Sequence, residues 1–223
     1  MLSIDRNFDV LGFETAVRGM RNSYNSWDKS DSDFRLKYPE VGKKDYNLMK
    51  KLASSGSSHA KFRRFINVTL DITAPLYWWK EFDTYKVGTV ANSCSTMHTI
   101  HTKEFTLDDF SHEHLENYHL VENLDWLELV IRILNENRKN YIATKDKKYW
   151  WQIIQLLPES YNQKRTVQLN YEVLSAIYSD RLHHKLDEWR EFCKWIESLP
   201  YSEGIIFPDK SNKPQSEWDF AKK

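Results

Sequence analysis

FINVTLDITAPLYWWKEFDTYK, residues 65–86, carries the strongest structural signal in the chain. Apolar and polar side chains alternate from Ile66 to Thr73, which is the pattern of a β-strand with one buried face. Pro75 then suits the first turn of a helix, because its missing N–H would have no helical partner there. We therefore predict a strand that leads directly into a helix.

A polar segment, YKVGTVANSCSTMH (85–98), follows this unit. It contains one glycine, one asparagine, one cysteine and several hydroxyl side chains. Such a composition is typical of a loop that binds a small ligand, and equally of a plain polar connection. Both interpretations stay open on the composition alone.

Amphipathic helices account for most of the remaining chain. The predicted helices span residues 11–24, 44–54, 106–118, 121–140, 149–158, 167–180 and 181–197. In the last of these, apolar residues recur every three or four positions, as a buried face requires. They are Leu182, Leu186, Trp189, Cys193 and Ile196. With one clear strand and no internal repeat, the pattern predicts an α+β fold that is helix-rich with a small β-sheet.

No linker-like stretch divides the chain, and 223 residues suit one domain with a substantial core. We expect a single domain over residues 1–200. Residues 201–223 are polar and contain Pro208 and Pro214, so we expect a loosely packed C-terminal tail.

The charge balance argues against partners that a global field would attract. Lys and Arg together number 32, as do Asp and Glu, so neither nucleic acid nor an acidic membrane is favoured. A nucleic-acid-binding module built from Trp78, Trp79 and the basic KFRR (61–64) is a weaker alternative. Without a signal-peptide pattern or a run of membrane-span length, we expect a cytoplasmic protein with no membrane partner.

Motifs for phosphate loops and metal sites are missing from the sequence. The six glycines form neither GxGxxG nor GxxxxGK. His98 and His101 form HxxH, but the HExxH of a zinc-peptidase helix is not present. A further group, His112, His114 and His119, lies among acidic residues. We therefore expect no metal site.

The order of strand, Ala74-Pro75, helix and polar segment resembles the flavin-dependent thymidylate synthases, also called ThyX. Those enzymes carry Gln-Trp in the helix, then RHR, then a stretch of the form xxSxNxxSxRY. With one inserted residue, the counterparts in this chain are Glu81-Phe82, Thr84-Tyr85-Lys86, Asn92, Ser95 and Met97-His98. The arrangement is retained, although most of the letters differ.

A second block supports the resemblance. The LLP that ends at Pro158 corresponds to the family's Leu-Pro, and Asn170 follows at the family's spacing of twelve. Arg181 lies eleven residues further, where the family has a substrate-binding arginine inside a helix. His59, in HAKFRRF, is the counterpart of a histidine that lies near the flavin.

The resemblance implies an enzyme that moves a methylene group from methylenetetrahydrofolate to dUMP and reduces it with hydride from FADH2, which NADPH regenerates. It also implies a homotetramer whose active sites form between subunits. The implied catalytic residues are Ser95 and Arg181, with Arg181 stabilising negative charge on the pyrimidine ring. The implied flavin contacts are His59, Thr84, Tyr85, Lys86 and Asn170, and the implied nucleotide contacts are Glu81, Asn92, Ser95 and Arg181.

The chain departs from the family where the family uses positive charge. Only Lys86 remains charged at the position of RHR, and Met97, Ile154 and Glu172 stand where the family has arginine. Each lost charge-assisted hydrogen bond removes about 1.5–3 kcal/mol of binding. The cations available to replace them are Arg63, Arg64, Lys80 and Lys86. Two functions stay open: the flavin-dependent enzyme, and a non-catalytic or repurposed nucleotide-binding protein on the same scaffold.

Overall fold

The computed structural model describes residues 2–5, 7–35, 40–118 and 121–207. The helices are α1 Phe13–Arg21, α2 Lys43–Ser54, α3 Leu76–Phe82, α4 Thr96–Thr99, α5 Asn123–Thr144, α6 Lys147–Leu156, α7 Tyr171–Arg181, α8 Asp187–Glu197 and α9 Ser202–Ile205. The strands are β1 Ser3–Ile4, β2 Asp9–Leu11, β3 Asn67–Pro75, β4 Thr89–Ser93, β5 Asn117–Tyr118, β6 Val121–Glu122 and β7 Asn162–Asn170. Short 3-10 helices add Asn22–Tyr24, Trp27–Lys29, Ala60–Phe65 and Leu107–Asp109. Within those described ranges, none of the helices combines the length and the apolar character that a bilayer crossing requires.

In the part of the chain that the structure describes, the main sheet has five strands. Their order is β1-β3-β7-β4, and β2 also pairs with β3. Both N-terminal strands run antiparallel to β3, with Ser3 opposite Thr73 and Val10 opposite Val68. A small sheet among many helices confirms the predicted α+β class.

β3 alternates as its sequence predicts. Val68 and Leu70 are buried, whereas Thr69 and Asp71 are half-exposed. A strand with one face in the core needs this period of two. Pro75 ends the strand and α3 begins at the next residue, so the predicted strand-to-helix unit is confirmed.

β7 was not predicted, and the helix predicted from residue 167 begins only at Tyr171. Val167 and Leu169 are buried between exposed neighbours, which is again a period of two. The inward positions also include Gln163, so too few apolar side chains alternate to show the strand in the sequence. Because the buried face of β7 includes a polar residue, the strand cannot be predicted from its sequence pattern.

Two other local predictions were wrong. Residues 106–118 do not form a helix: the capping box of Thr106 and Asp109 closes a single 3-10 turn, and Phe110 is buried just after it. The polar segment 85–98 is not a loop throughout, because it contains β4 and α4. Both segments are built from short elements whose periodicity is too brief to read in a sequence.

The start of the expected tail is packed rather than loose. Residues 201–207 include α9, and Ile205 and Ile206 are buried there. A loosely packed tail is therefore wrong for these residues. The rest of the predicted tail, 208–223 with its two prolines, lies outside the described residues.

Two compact units can be distinguished within the chain. The first contains residues 2–5, 71–84, 91–118 and 121–167, and the second contains residues 7–35, 40–70, 85–90 and 168–207. In the first unit, α5 and α6 contribute Ile131 and Ile153 to a buried apolar cluster. In the second, Met49 and Trp189 are fully buried. A single domain over residues 1–200 stays a prediction.

A buried ion pair in the second unit joins the last residue of α1 to the first turn of α2. Asp45 is fully buried and Arg21 is 4% exposed. Asp45 accepts hydrogen bonds from Arg21 Nε, Ser30 Oγ and Ser32 Oγ, each at 2.6 Å. Burial alone would raise the pKa of Asp45, but these donors outweigh burial and hold the pKa below its usual value.

This ion pair also orders the polar loop that follows α1. Arg21 donates to the carbonyl oxygens of Ser26 at 3.1 Å and Lys29 at 3.2 Å. The backbone N–H of Asp31 donates to Asp45 at 3.2 Å. The loop is therefore held from inside the unit, although its composition suggests only a solvated connection.

Asp45→Asn should lower the free energy of unfolding by about 3–5 kcal/mol, because it leaves the buried Arg21 charge without its carboxylate. Chemical denaturation at neutral pH measures this loss. A carboxyl whose pKa is lowered by folding stabilises the folded state above its unfolded pKa, and this contribution is lost as pH falls through the folded pKa. The difference between the wild type and Asp45→Asn should therefore shrink in acid.

Asp33→Asn is the matched control. Asp33 also pairs with an arginine, but the side chain of Arg35 is 91% exposed. Exposed ion pairs contribute little to stability. The control should therefore leave the denaturation midpoint nearly unchanged, and equal losses in the two variants would contradict a role for burial.

Candidate functional site

α7 carries two of the predicted site residues, one at each end. Asn170 precedes its first residue, and Arg181 is its last. The eleven residues of the helix, at about 1.5 Å each, separate the two by roughly 16 Å along the axis. Their predicted roles therefore belong to two positions in the second unit, not to one cluster.

Arg181 is half-buried against two aromatic rings. Its Nε donates to the hydroxyl of Tyr85 at 2.9 Å. Its Cζ lies 4.7 Å from the ring centroid of Trp189 and 5.6 Å from that of Tyr85. The two rings are in T-shaped contact, with centroids 6.0 Å apart. Because Trp189 is fully buried, it forms a fixed wall beside the guanidinium.

The hydroxyl of Tyr85 links two consecutive residues of α7. It accepts from Arg181 and donates to Asp180 Oδ2 over a longer distance of 3.4 Å. Burial is the main cause of a raised pKa of Tyr85; Asp180 raises the pKa further, and Arg181 opposes the shift. The phenol therefore stays protonated at neutral pH and can accept and donate at the same time.

Asn170 performs a structural task at the start of α7. Its Oδ1 accepts from the backbone N–H groups of Glu172 and Val173, both at 3.1 Å. Gly88 approaches this cap so closely that a Cβ there would lie 3.0 Å from Asn170 Nδ2. The φ of Gly88, +82°, also lies in the region that favours glycine. The segment after Lys86 is thus fixed against the helix cap.

His59 lines a cavity of about 730 Å³ in the second unit. Tyr24 and Phe65 provide two exposed aromatic rings, and Lys29 and Lys61 provide two cations. Among the residues that the structure describes, neither Asp nor Glu lines the cavity. Rings and positive charge without carboxylates suit a planar anionic ligand, and the volume is in the range of ligand pockets.

Arg63 lies in the second unit and is buried beside the start of α7. Its Nη1 is 3.6 Å from Oε2 of Glu172. Burial lowers the pKa of Arg63, and the charge of Glu172 opposes this shift. Within the described residues, Arg63 Nε has no hydrogen-bond partner. This cation is therefore occupied by an internal carboxylate and not exposed to a ligand.

Four of the predicted residues, Glu81, Thr84, Asn92 and Ser95, lie in the first unit. Thr84 Oγ1 donates to the carbonyl oxygen of Glu81 at 2.7 Å, at the end of α3. Ser95 caps α4 by accepting from the backbone N–H of His98 at 3.2 Å, which leaves its own O–H as a donor. Asn92 is exposed in β4. A shared site for these residues and those of the second unit stays a prediction.

A polar cluster on β7, also in the first unit, was missed in the sequence. Arg165 donates to Asp83 at 2.8 Å and to Gln163 at 2.9 Å, and its Cζ lies 4.3 Å from the ring centroid of Trp79. Gln163 donates to the carbonyl oxygen of Cys94 at 3.0 Å. The cluster therefore anchors the polar segment to the sheet. Its one sequence signal is the weak alternation along β7.

Two of the other cations expected to replace the family's arginines, Lys80 and Lys86, differ in their surroundings. Lys80 forms an ion pair with Glu159. Lys86 is exposed, and no ion pair joins it to any residue in the described part of the chain. Lys86 is thus better placed than Lys80 to meet a ligand phosphate.

The nucleic-acid alternative is wrong in the form suggested by the sequence. Trp78 and Trp79 are fully buried and pack against each other, with ring centroids 4.8 Å apart. Single-stranded nucleic acid needs accessible rings on which its bases can stack. These two residues do not provide such a surface.

Comparisons with known proteins agree with this architecture at the level of structure. No protein-family model matches the sequence, and no curated protein matches it either. A flavin-dependent thymidylate synthase ThyX from Helicobacter pylori, complexed with FAD and dUMP, superposes with a TM-score of 0.65 at 16% identity. The match covers 92% of this chain and 97% of that chain.

A second solved structure is similar. The UMP/dUMP methylase PolB from Streptomyces cacaoi, bound with 5-Br dUMP, gives a TM-score of 0.62 at 15% identity and covers 93% of both chains. Identities this low establish the fold and leave the ligands as a separate question. The resemblance seen in the sequence is confirmed in the fold: this chain has the fold of the flavin-dependent thymidylate synthases.

Proposed function

We propose that the chain methylates a pyrimidine nucleotide, with methylenetetrahydrofolate as the carbon donor and reduced FAD as the source of hydride, regenerated by NADPH. The observation that carries the proposal is the setting of Arg181, a half-buried cation held by Tyr85 and Trp189 at the end of α7. The fold shared with ThyX and PolB over nine-tenths of the chain supports it.

Arg181 is the residue assigned to the pyrimidine. Its guanidinium supplies positive charge in a planar fork of N–H donors. Charge that develops on the ring during attack is stabilised best by a donor that is already oriented. The hydrogen bond to Tyr85 and the wall of Trp189 provide that orientation.

Hydroxyl and amide groups are assigned to the rest of the nucleotide. Ser95 accepts a backbone hydrogen bond and therefore has an O–H to donate, either to the phosphate or to the pyrimidine. Asn92 is exposed and offers both a donor and an acceptor. We assign Glu81 a contact to the nucleotide as well.

The cavity beside His59 fits a flavin. It offers aromatic rings to a planar group and lysines to a diphosphate, without lining carboxylates to repel the charge. His59 and Lys86 would hold the cofactor, with Thr84, Tyr85 and Asn170 as the further contacts implied by the family. When bound, FAD supplies the hydride transfer that no side chain can perform.

The substrate is proposed to be a pyrimidine nucleoside monophosphate. One similar structure contains dUMP, and the PolB structures contain 5-Br dUMP and 5-Br UMP. The shared part is the uracil ring and its monophosphate, whereas the 2′ position differs. We take dUMP as the first substrate to test, with UMP beside it.

A second candidate function is binding of the nucleotide without turnover. It is favoured by the residues at the position of RHR. Thr84 donates its hydroxyl hydrogen to Glu81, and Tyr85 is engaged with Arg181. Only Lys86 remains there as a charge, so the phosphate and flavin contacts of the family are reduced.

We also propose that the chain assembles as a homo-oligomer, with a tetramer expected. α5 buries one face in the first unit and exposes a second apolar stripe. Trp126, Leu129 and Ile133 form this stripe and are 58%, 36% and 39% exposed. Their spacing places them on one side of the helix. Exposed apolar stripes of this kind are typical of protein interfaces.

Purified protein should bind FAD and dUMP, and should form a methylated nucleotide when methylenetetrahydrofolate and NADPH are added. Mass spectrometry of the nucleotide detects the methyl group. His59→Ala should weaken FAD binding about three- to tenfold through loss of one ring contact. His183→Ala is the control, because His183 is exposed and does not line the cavity.

The outcomes separate the two functions. Binding of dUMP without a methylated product supports the second candidate. Failure of both FAD and dUMP to bind would contradict the proposed enzyme and the proposed binding protein alike.

Lys86→Ala should weaken the binding of FAD or dUMP by about 1.5–3 kcal/mol, the scale of one charge-assisted hydrogen bond. The loss should be smaller at high salt, because exposed charges are screened. Calorimetry with each ligand measures it, with Lys185→Ala as the control for removing an exposed lysine. Unchanged affinity for both ligands would remove Lys86 from the site.

Light scattering should give several times the chain mass of 26.8 kDa. Ile133→Lys should shift the protein towards smaller species, because it places a charge in the apolar stripe. Ile142→Lys lies on the same helix at 41% exposure but outside the stripe, so it should not. A monodisperse monomer at micromolar concentration in the wild type would contradict the assembly.

A further inference from the structure

Tyr85 is bound to the end of α7 by more than one interaction. Its hydroxyl accepts from Arg181 Nε at 2.9 Å and donates towards Asp180. Its ring packs edge-on against Trp189, and the guanidinium of Arg181 lies within cation–π distance of both rings. The resemblance to ThyX implies a flavin contact for Tyr85, but its polar atom points to α7.

The geometry restricts how Arg181 can turn. An arginine side chain at a helix end has four rotatable bonds and loses rotamer entropy when it is fixed. The hydrogen bond to Nε sets the plane of the guanidinium, and the buried Trp189 excludes one side of it. The raised pKa of Tyr85 keeps its phenol neutral, so it orients the cation without neutralising it.

We infer that Tyr85 is a positioning residue, which holds the guanidinium of Arg181 in the orientation that binds the pyrimidine nucleotide. The inference rests on the proposed function, since it takes Arg181 to be a nucleotide ligand. Tyr85 itself is not assigned a contact with substrate. Its substitution should therefore affect nucleotide affinity only through Arg181.

The test is a double-mutant cycle in which calorimetry measures dUMP binding to the full-length protein. Tyr85→Phe keeps the ring and removes the acceptor, and should weaken dUMP binding about five- to tenfold. Arg181→Met removes the guanidinium but keeps the aliphatic stem, and should weaken binding more. In the double variant, dUMP affinity should equal that of Arg181→Met within about twofold, because the tyrosine has nothing left to orient.

Tyr178→Phe is the matched control. Tyr178 lies on the same helix, and its hydroxyl donates to Glu197 at 2.6 Å. The control removes a comparable hydrogen bond without touching Arg181, so dUMP affinity should not change. Thermal unfolding of each variant verifies that it is folded at the temperature of the titration.

The outcomes distinguish the inference from the function on which it rests. If Arg181→Met weakens dUMP binding but Tyr85→Phe does not, or if the two effects simply add, the positioning role is wrong and the proposed function stands. If Arg181→Met leaves dUMP affinity unchanged, both are wrong. A titration with FAD completes the test. If Tyr85→Phe loses FAD affinity while its dUMP affinity is unchanged, Tyr85 is a flavin contact and not a positioning residue for Arg181.

Discussion

Asn170 has to end a strand and begin a helix within one residue, and the arrangement of the second unit depends on how it does so. The first N–H groups of a helix have no partner inside it. Asn170 satisfies two of them with its side chain, while the N–H of Tyr171 donates to the carbonyl of Ile66 at 3.0 Å. The start of α7 is therefore fixed to the residue just before β3 as well as to β7.

The position of Arg181 follows from this turn. A helix is a rigid spacer, so fixing its first residue and its length also fixes where its last side chain emerges. Gly88 packs against the same Asn170 cap. This contact holds the segment that carries Tyr85 beside α7. The contact between Arg181 and Tyr85 thus depends on a cap roughly 16 Å away along the helix.

The sequence predicts elements well where one type of side chain repeats long enough. β3 and the turn at Pro75 are examples, because the alternation is complete and proline allows few conformations. The alternation along β7 is incomplete, because Gln163 lies on its buried face and donates a hydrogen bond to the carbonyl oxygen of Cys94. A buried polar residue that is satisfied by a distant partner looks like an exposed one in the sequence.

The candidate site also contains residues that the sequence suggests and residues that it does not. The resemblance implies Asn170 and Arg181 through their spacing from Pro158, and the structure places them at the two ends of α7, while their roles stay predictions. The partners of Arg181 cannot be found in this way, since Tyr85 is 96 positions away and no periodicity connects them. The cavity rings Tyr24 and Phe65 were also missed, because an exposed aromatic side chain has no pattern that distinguishes a ligand contact from a surface residue.

The cations of the chain explain why hydroxyl groups and rings have to contribute so much to any nucleotide site. Arg63, Lys80 and Arg165 each face an internal carboxylate. A phosphate that approaches such a pair has to compete with a carboxylate already in place, so the net gain is small. The exposed Lys86 avoids this competition, but water and salt weaken its field. Recognition of an anionic ligand then depends on donors that are oriented in advance, and Arg181, held against Trp189 by Tyr85, is such a donor.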